Sequence, residues 1–185
     1  MSTEVLIRTA EDLFEMPNDG NRYELVQGVL RKMSPAGGAH GEAEGFIAGH
    51  LMFHVRKNRL GSTYVGDTGF KIRTNPDTVL APDVAFVTRE RVQTIPDRFK
   101  FIPLAPDLVI EILSPGDAER EALLKVADWL TAGTRAVILV HPRKKTVRVF
   151  RSPEQFITLS EQDILELPDI VPGWSVAVAE IFETP

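Results

Sequence analysis

The chain contains no cysteine among its 185 residues. That absence excludes a disulfide framework, thiolate zinc sites, iron–sulfur clusters and thiol catalysis. Long apolar runs are missing as well. Ala136 to Val140 is typical of the longest, far short of the roughly 20 residues a membrane span needs. Met1 to Met16 carries Glu4, Glu11, Asp12 and Glu15 and no long apolar stretch, so a secretory signal is not expected and a cytoplasmic protein is. A basic excess is lacking too: 21 Lys and Arg against 26 Asp and Glu leave a net charge of −5 at pH 7. By itself this argues against a strongly basic nucleic-acid binder. There is no internal repeat, low-complexity tract or long linker. What is present is ordinary for a soluble globule, 43% hydrophobic and 25% charged. The length predicts one domain over residues 1–185.

The charge is unevenly spread. After Arg151 there is no Lys or Arg but there are seven acids, and 26 less these seven leaves 19 acids against all 21 basic side chains in residues 1–151. Arg135, Arg143, Lys144, Lys145, Arg148 and Arg151 form an interval without an acid. Such an interval is either a solvated hairpin or a surface for phosphates, with Arg143, Lys144, Lys145 and Arg148 as its candidate contacts.

The order of elements follows from periodicity and punctuation. Thr9 to Met16 predicts a short helix capped by Thr9 with Asp12 three residues on, stopped by Pro17. Tyr23–Met33 predicts two short strands about a turn at Gly28. Gly41 to Lys57 places Ala43, Phe46, Ile47, Leu51 and Val55 at helical spacing. Ser62–Arg73 and Thr78–Thr88 predict strands joined through Asn75-Pro76-Asp77. Leu108–Leu113 suits a strand covered on both faces. Asp117–Ala132 predicts a helix ended by Gly133, and Ala136–Val140 with Thr146–Phe150 a hairpin. The expected class is α/β or α+β, a sheet layered by helices.

Glu111 interrupts the apolar string Leu108-Val109-Ile110-Glu111-Ile112-Leu113. A carboxylate in a covered strand is costly unless its charge is compensated, by an ion pair or by a metal or catalytic role. Five Pro-Asp pairs offer a partner acid: Asp77, Asp83, Asp97, Asp107 and Asp169. Asp107 lies four residues from Glu111 on one strand, roughly 13 Å away at ~3.3 Å per residue, too far to share an ion. Asp77 and Asp97 sit in turn-like surroundings. Asp83 opens Val84-Ala85-Phe86-Val87, a second apolar strand able to lie beside the first, so Asp83 is the better partner. Two carboxylates suit a hard cation such as Mg²⁺, which takes oxygen ligands and keeps several waters. From Glu111 the chain runs about three more strand residues and turns at Ser114-Pro115-Gly116. Roughly eight residues of the following helix retrace that distance and bring Lys125 abreast of Glu111. The plain alternative for Lys125 is a surface pair with Glu121, four residues earlier.

Ala81-Pro82-Asp83-Val84-Ala85-Phe86-Val87, then Pro106-Asp107-Leu108-Val109-Ile110-Glu111-Ile112-Leu113-Ser114-Pro115, then Lys125 in the next helix, resemble the Uma-two family of the PD-(D/E)xK, or restriction-endonuclease-like, superfamily. Arg22-Tyr23-Glu24-Leu25-Val26 with Gly28, Ser34-Pro35, His40 and Leu167-Pro168-Asp169-Ile170-Val171-Pro172-Gly173-Trp174 extend the resemblance over nearly the whole chain. It implies a mixed sheet flanked by helices, with Asp83 and Glu111 binding Mg²⁺ or Mn²⁺. In the superfamily the lysine usually stands two residues after the acid, where this chain has Leu113. The resemblance places it instead in the following helix, at Lys125. It also implies that Glu24 completes the metal site or orients a water and that His40 lies near the site. Three positions depart from the family pattern: Gln27, Glu121 and His141.

His50 and His54 have the spacing of zinc-binding histidines, but Leu51 stands where a metalloprotease has its glutamate base. Ser34 and Ser114 each precede a proline outside G-x-S-x-G, and a turn or cap explains them. Gly37-Gly38 with Gly41 lacks the G-K-[ST] ending of a phosphate loop. The expected activity is Mg²⁺-dependent hydrolysis of phosphodiester bonds in nucleic acid, DNA above RNA, with a homodimer implied by resemblance. The alternative is a catalytically silent nucleic-acid-binding or protein-interaction module on the same fold.

Overall fold

The computed structural model describes residues 8–114 and 119–183. Helix α1 (Ala10–Phe14) starts as its sequence predicts. Thr9 Oγ1 accepts from the Asp12 N–H at 3.1 Å while Asp12 accepts from the Thr9 N–H at 2.9 Å, so two orphan donors are satisfied reciprocally. Strands β1 (Arg22–Val26) and β2 (Val29–Met33) are joined by Gln27 and Gly28 at φ 50° and 78°, the left-handed pair that a tight hairpin turn requires. Helix α2 (Gly38–Asn58) buries Ala43, Ile47, Leu51 and Val55, as the helical spacing predicts.

Two expected strands are each broken into two that serve different sheets. Ser62–Arg73 becomes β3 (Gly61–Val65) and β4 (Phe70–Arg73), because Gly66 takes a left-handed φ of 61° and the Phe101 ring packs where a Cβ of Gly69 would lie. Thr78–Thr88 becomes β5 (Thr78–Leu80) and β6 (Val84–Thr88), interrupted at Pro82, which has no N–H for a ladder. After the short α3 (Arg89–Val92) the chain forms β7 (Leu108–Ile112), α4 (Glu119–Thr131), β8 (Ala136–His141), a 3₁₀ turn at Pro142–Lys144, and β9 (Thr146–Phe150). Gly133, at φ 104°, follows α4. The predicted helix start at Asp117 and most of the Ser114-Pro115-Gly116 turn lie outside the described residues. The chain ends in β10 (Phe156–Leu159), β11 (Ile164–Glu166), β12 (Ser175–Ala177) and α5 (Val178–Ile181).

The large sheet has the order β10-β9-β8-β7-β6-β3 and is antiparallel except for the parallel pair β7 and β8. A smaller sheet, β2-β1-β5-β4, and the β11-β12 pair complete the architecture. This is the mixed α/β sheet flanked by helices that the sequence predicts. Strand β7 shows why its sequence is nearly all apolar. Leu108, Ile110 and Ile112 pack toward Ile47 and Leu51 of α2 and toward Trp174, while Val109 and Leu113 pack on the other face with Val126 and Trp129 of α4 and with Phe70 and Leu80. Each such large side chain contributes roughly 1.5–3 kcal/mol by leaving water. Successive strand residues point to opposite faces, so Glu111 shares its face with Val109 and Leu113 and must meet α4. No helix among the described residues is long and apolar enough to cross a membrane.

Candidate active site

Val84 of β6 is paired with Ile110 of β7 in antiparallel register. One step further along that register sets Asp83 level with Glu111, at the rim of the sheet. Glu111 is buried, and both its oxygens are engaged. Oε1 accepts from Trp129 Nε1 at 2.8 Å and Oε2 lies 3.1 Å from Lys125 Nζ. Lys125 and Trp129 are four residues apart on α4 and so address the strand from one helical face. The Lys125 ammonium also lies 2.9 Å from Glu24 Oε1 on β1 and donates to the Ala81 carbonyl at 3.1 Å. Glu24 Oε1 accepts from the Ala81 N–H at 2.8 Å. Glu24 thus ties the small sheet to α4 and to the segment entering β6.

The electrostatics follow from burial. Loss of solvent, opposed by the Lys125 ammonium and reinforced by the Asp83 and Glu24 carboxylates, pushes the Glu111 carboxyl up to about 8. For Lys125 burial works toward discharge, but Glu111 and Glu24 outweigh it and hold the ammonium above its ordinary range. The lysine is a fixed cation whose partners are site carboxylates, as the retraced geometry predicts, and not Glu121, the plain alternative.

Asp83 faces a second group of residues across the rim. Its Oδ2 accepts from the Ile112 N–H at 2.6 Å, and its Oδ1 lies 3.3 Å from His40 Nε2. His40 and Glu44, one turn apart on α2, bring an imidazole nitrogen and a carboxylate oxygen to Asp83 so that the three donor atoms all lie within 4.8 Å of one another. The other ring nitrogen of His40, Nδ1, is 3.2 Å from Ser114 Oγ. Hydrogen bonding to Asp83, against the cost of burial and with help from the Glu44 charge, raises the imidazole pKa; burial and the Asp83 charge raise that of Glu44. Asp83 therefore joins a Glu24–Lys125–Glu111 chain on one face of the sheet to a His40–Glu44 pair on the other. Oxygen donors with one imidazole are a set that Mg²⁺ or Mn²⁺ accepts.

Residues 10–179 match the model of the Uma2 family, whose description is "Putative restriction endonuclease". The chain belongs to that family. It is also similar, over 94% of its length and 97% of the other chain, to the crystal structure of "a putative nuclease belonging to DUF820 from Anabaena variabilis ATCC 29413", with a TM-score of 0.79 and 19% identity. At that identity the likeness speaks for the fold. No curated protein matches the chain.

With Uma2 membership in hand, the remaining predicted positions sort by their contacts. The four other Pro-Asp acids have structural partners. Asp77 holds Lys71 at 2.9 Å and the Ala10 N–H at 2.8 Å, Asp107 holds the Thr88 N–H and Arg91, Asp97 accepts from the Phe99 N–H, and Asp169 pairs with Arg151. His50 accepts from Trp174 Nε1 at 3.1 Å and His54 Nε2 lies 2.9 Å from the Pro172 carbonyl, contacts that dock α2 on the C-terminal segment. In the basic hairpin Lys144 and Arg148 converge on Glu119 at the start of α4, and Lys145 meets Glu161. The hairpin follows β8, which runs parallel to β7, and its 3₁₀ turn touches α2. It stands at the same end of the sheet as Glu111. Sequence reasoning missed Glu44 and Trp129. Glu44 was within reach as the residue one helical turn from His40, and Trp129 as the residue one turn from Lys125.

Proposed function

We propose that this chain hydrolyses phosphodiester bonds of nucleic acid, DNA above RNA, with Mg²⁺ or Mn²⁺ held by Asp83 and Glu111. The observation that carries the reading is the convergence of Asp83, Glu111 and Lys125, from β6, β7 and α4, on one rim of the sheet in a family described as endonucleases. A divalent cation there supplies positive charge for a phosphoryl oxygen and lowers the pKa of a bound water. Asp83 is anchored by the Ile112 N–H, which fixes one oxygen and leaves the carboxylate oriented. Trp129 fixes Glu111 in the same way from the opposite side. Lys125, charged and short of water, would position the nucleophilic water or stabilise negative charge developing on phosphate. Glu24 holds that lysine in line. Arg143, Lys144, Lys145 and Arg148 are the proposed phosphate contacts beyond the scissile bond, in a cytoplasmic protein of one domain working as a pair of copies.

The test incubates purified protein with plasmid, linear and single-stranded DNA and with RNA across Mg²⁺, Mn²⁺ and chelator. Cation-dependent cleavage lost in Asp83→Asn and Glu111→Gln is the expected result. A specific observation favours a second reading: both Glu111 oxygens are already engaged within the chain. Nucleic-acid binding without cleavage by the wild-type protein would establish that silent module instead.

A further inference from the structure

The ligand set need not be symmetric about Asp83. On the α4 side, Glu111 offers oxygens already held by Trp129 and Lys125, so a cation taking Glu111 competes with an ammonium 3.1 Å away. On the α2 side, His40 Nε2 and a Glu44 oxygen stand with Asp83 in a cluster no wider than 4.8 Å, and among the described residues no lysine or arginine is ion-paired to Glu44 or Asp83. Arg22 on β1, whose charge favours the Glu44 carboxylate through space, is itself ion-paired with Asp67 at 3.1 Å. His40 is only 8% exposed on the first turn of a 21-residue helix, a costly place for an imidazole that only fills space. Its ring is also oriented. For Nε2 to present a lone pair, Nδ1 must carry the proton, and Ser114 Oγ lies 3.2 Å from it to accept. A ligating histidine whose other nitrogen is fixed by an oxygen acceptor is the arrangement that metal sites use to set tautomer and orientation.

We propose that His40 and Glu44 are ligands of the cation together with Asp83, forming a nitrogen-and-oxygen site that takes Mn²⁺ ahead of Mg²⁺, with Glu111 as an accessory ligand. The inference rests on the metal-dependent reading of the same rim and deepens it. An imidazole nitrogen adds affinity for first-row transition ions, whereas Mg²⁺ prefers oxygen and water, so the presence of His40 sets the choice of metal. Ser114 is a positioning residue, acting on the cation through the imidazole.

The experiment measures cation binding without nucleic acid. Wild-type protein, His40→Gln, Glu44→Gln, Ser114→Ala, Glu111→Gln and the surface variant Glu121→Gln are titrated with Mn²⁺ and with Mg²⁺ by calorimetry. Bound Mn²⁺ is then examined by pulsed electron paramagnetic resonance for coupling to a ¹⁴N nucleus. Wild type is expected to bind Mn²⁺ more tightly than Mg²⁺ by on the order of tenfold or more and to show the nitrogen coupling. His40→Gln should abolish that coupling and bring the two affinities together. Glu44→Gln should weaken Mn²⁺ binding by about tenfold or more, and Ser114→Ala by roughly tenfold with the coupling retained. A wild-type Mn²⁺ complex without nitrogen coupling, or unchanged Mn²⁺ affinity in both His40→Gln and Glu44→Gln while Glu111→Gln loses it, overturns the proposal. Nitrogen coupling in a protein that cleaves no nucleic acid would leave this site standing and remove the nuclease reading.

Discussion

Lys125 has two buried carboxylates and a carbonyl around one ammonium. Removing the cation from such a group leaves acids in a place where ionisation is penalised, and the pair-breaking cost in comparable buried sites is about 3–5 kcal/mol. Burial already pushes the Glu111 carboxyl up, and loss of the lysine charge moves it further toward the neutral form, which softens that cost. Lys125→Met is therefore expected to melt lower than wild type, to recover part of that loss when combined with Glu111→Gln, and to lose on the order of a hundredfold or more in cleavage rate. Glu121→Gln, on the exposed face of the same helix, should change neither quantity appreciably. Parallel melting and cleavage assays check this. Equal rates in Lys125→Met and wild type would make the lysine a scaffold residue only.

At the scale of elements, the sequence carried the site further than the sheets. Glu111 was legible because a single acid breaks an otherwise apolar strand, and Lys125 because helix and strand rises fix which residue returns to that level. Glu44 was not, since an acid one turn from a histidine looks the same on a solvated face as in a cluster. Nor was Trp129, since a tryptophan on a helix facing a sheet is ordinary core, which it also is here. The breaks at 66–69 and 81–83 were hidden because alternation reports that a strand has two faces and says nothing about which sheet receives it. Asp77, a turn acid by sequence, proves to be an inter-element tie, bonded to the first N–H of α1 and to Lys71 on β4. Its carboxyl is held below its ordinary 3.8, since the Lys71 and Ala10 contacts outweigh burial. A lowered carboxyl contributes stability in full above its unfolded value, and that stability is lost as pH falls through the folded one. Asp77→Asn should thus cost about 1–3 kcal/mol at pH 7, with the gap to wild type closing below about pH 4; denaturant unfolding across pH measures it. The hairpin behaves differently because its acid partners, Glu119 and Glu161, are half-exposed and exposed. Such surface pairs are weak and exchange readily for phosphate. Replacing Lys144 and Arg148 by Gln should lower the slope of log affinity against log salt on duplex DNA by about 0.9 per lost contact. An unchanged slope would assign both cations to holding Glu119.

Across the whole molecule the site is a concentration of like charge. Glu24, Glu44, Asp83 and Glu111 stand at one rim with Lys125 and His40 as their cations. Without metal, repulsion among these carboxylates offsets part of what their contacts with Lys125 and His40 contribute, and with metal the cluster becomes a source of stability, because a ligand that binds only the folded chain stabilises it by mass action. At free Mn²⁺ a hundredfold above the dissociation constant the gain is about 2.7 kcal/mol. For a two-state chain of 185 residues that corresponds to a rise in melting temperature of roughly 5–11 °C. The double variant Asp83→Asn with Glu111→Gln keeps acceptors for the Ile112 N–H and Trp129 Nε1 while removing two charges. Under chelator it should melt at or above wild type, and with Mn²⁺ it should gain nothing. Because the chain is acidic overall, any divalent ion also screens its surface. The comparison is therefore made at matched ionic strength in sodium chloride, where screening shifts both proteins alike. A Mn²⁺-dependent rise of the same size in the double variant would place the ion elsewhere on the acidic surface and remove Asp83 and Glu111 from its coordination.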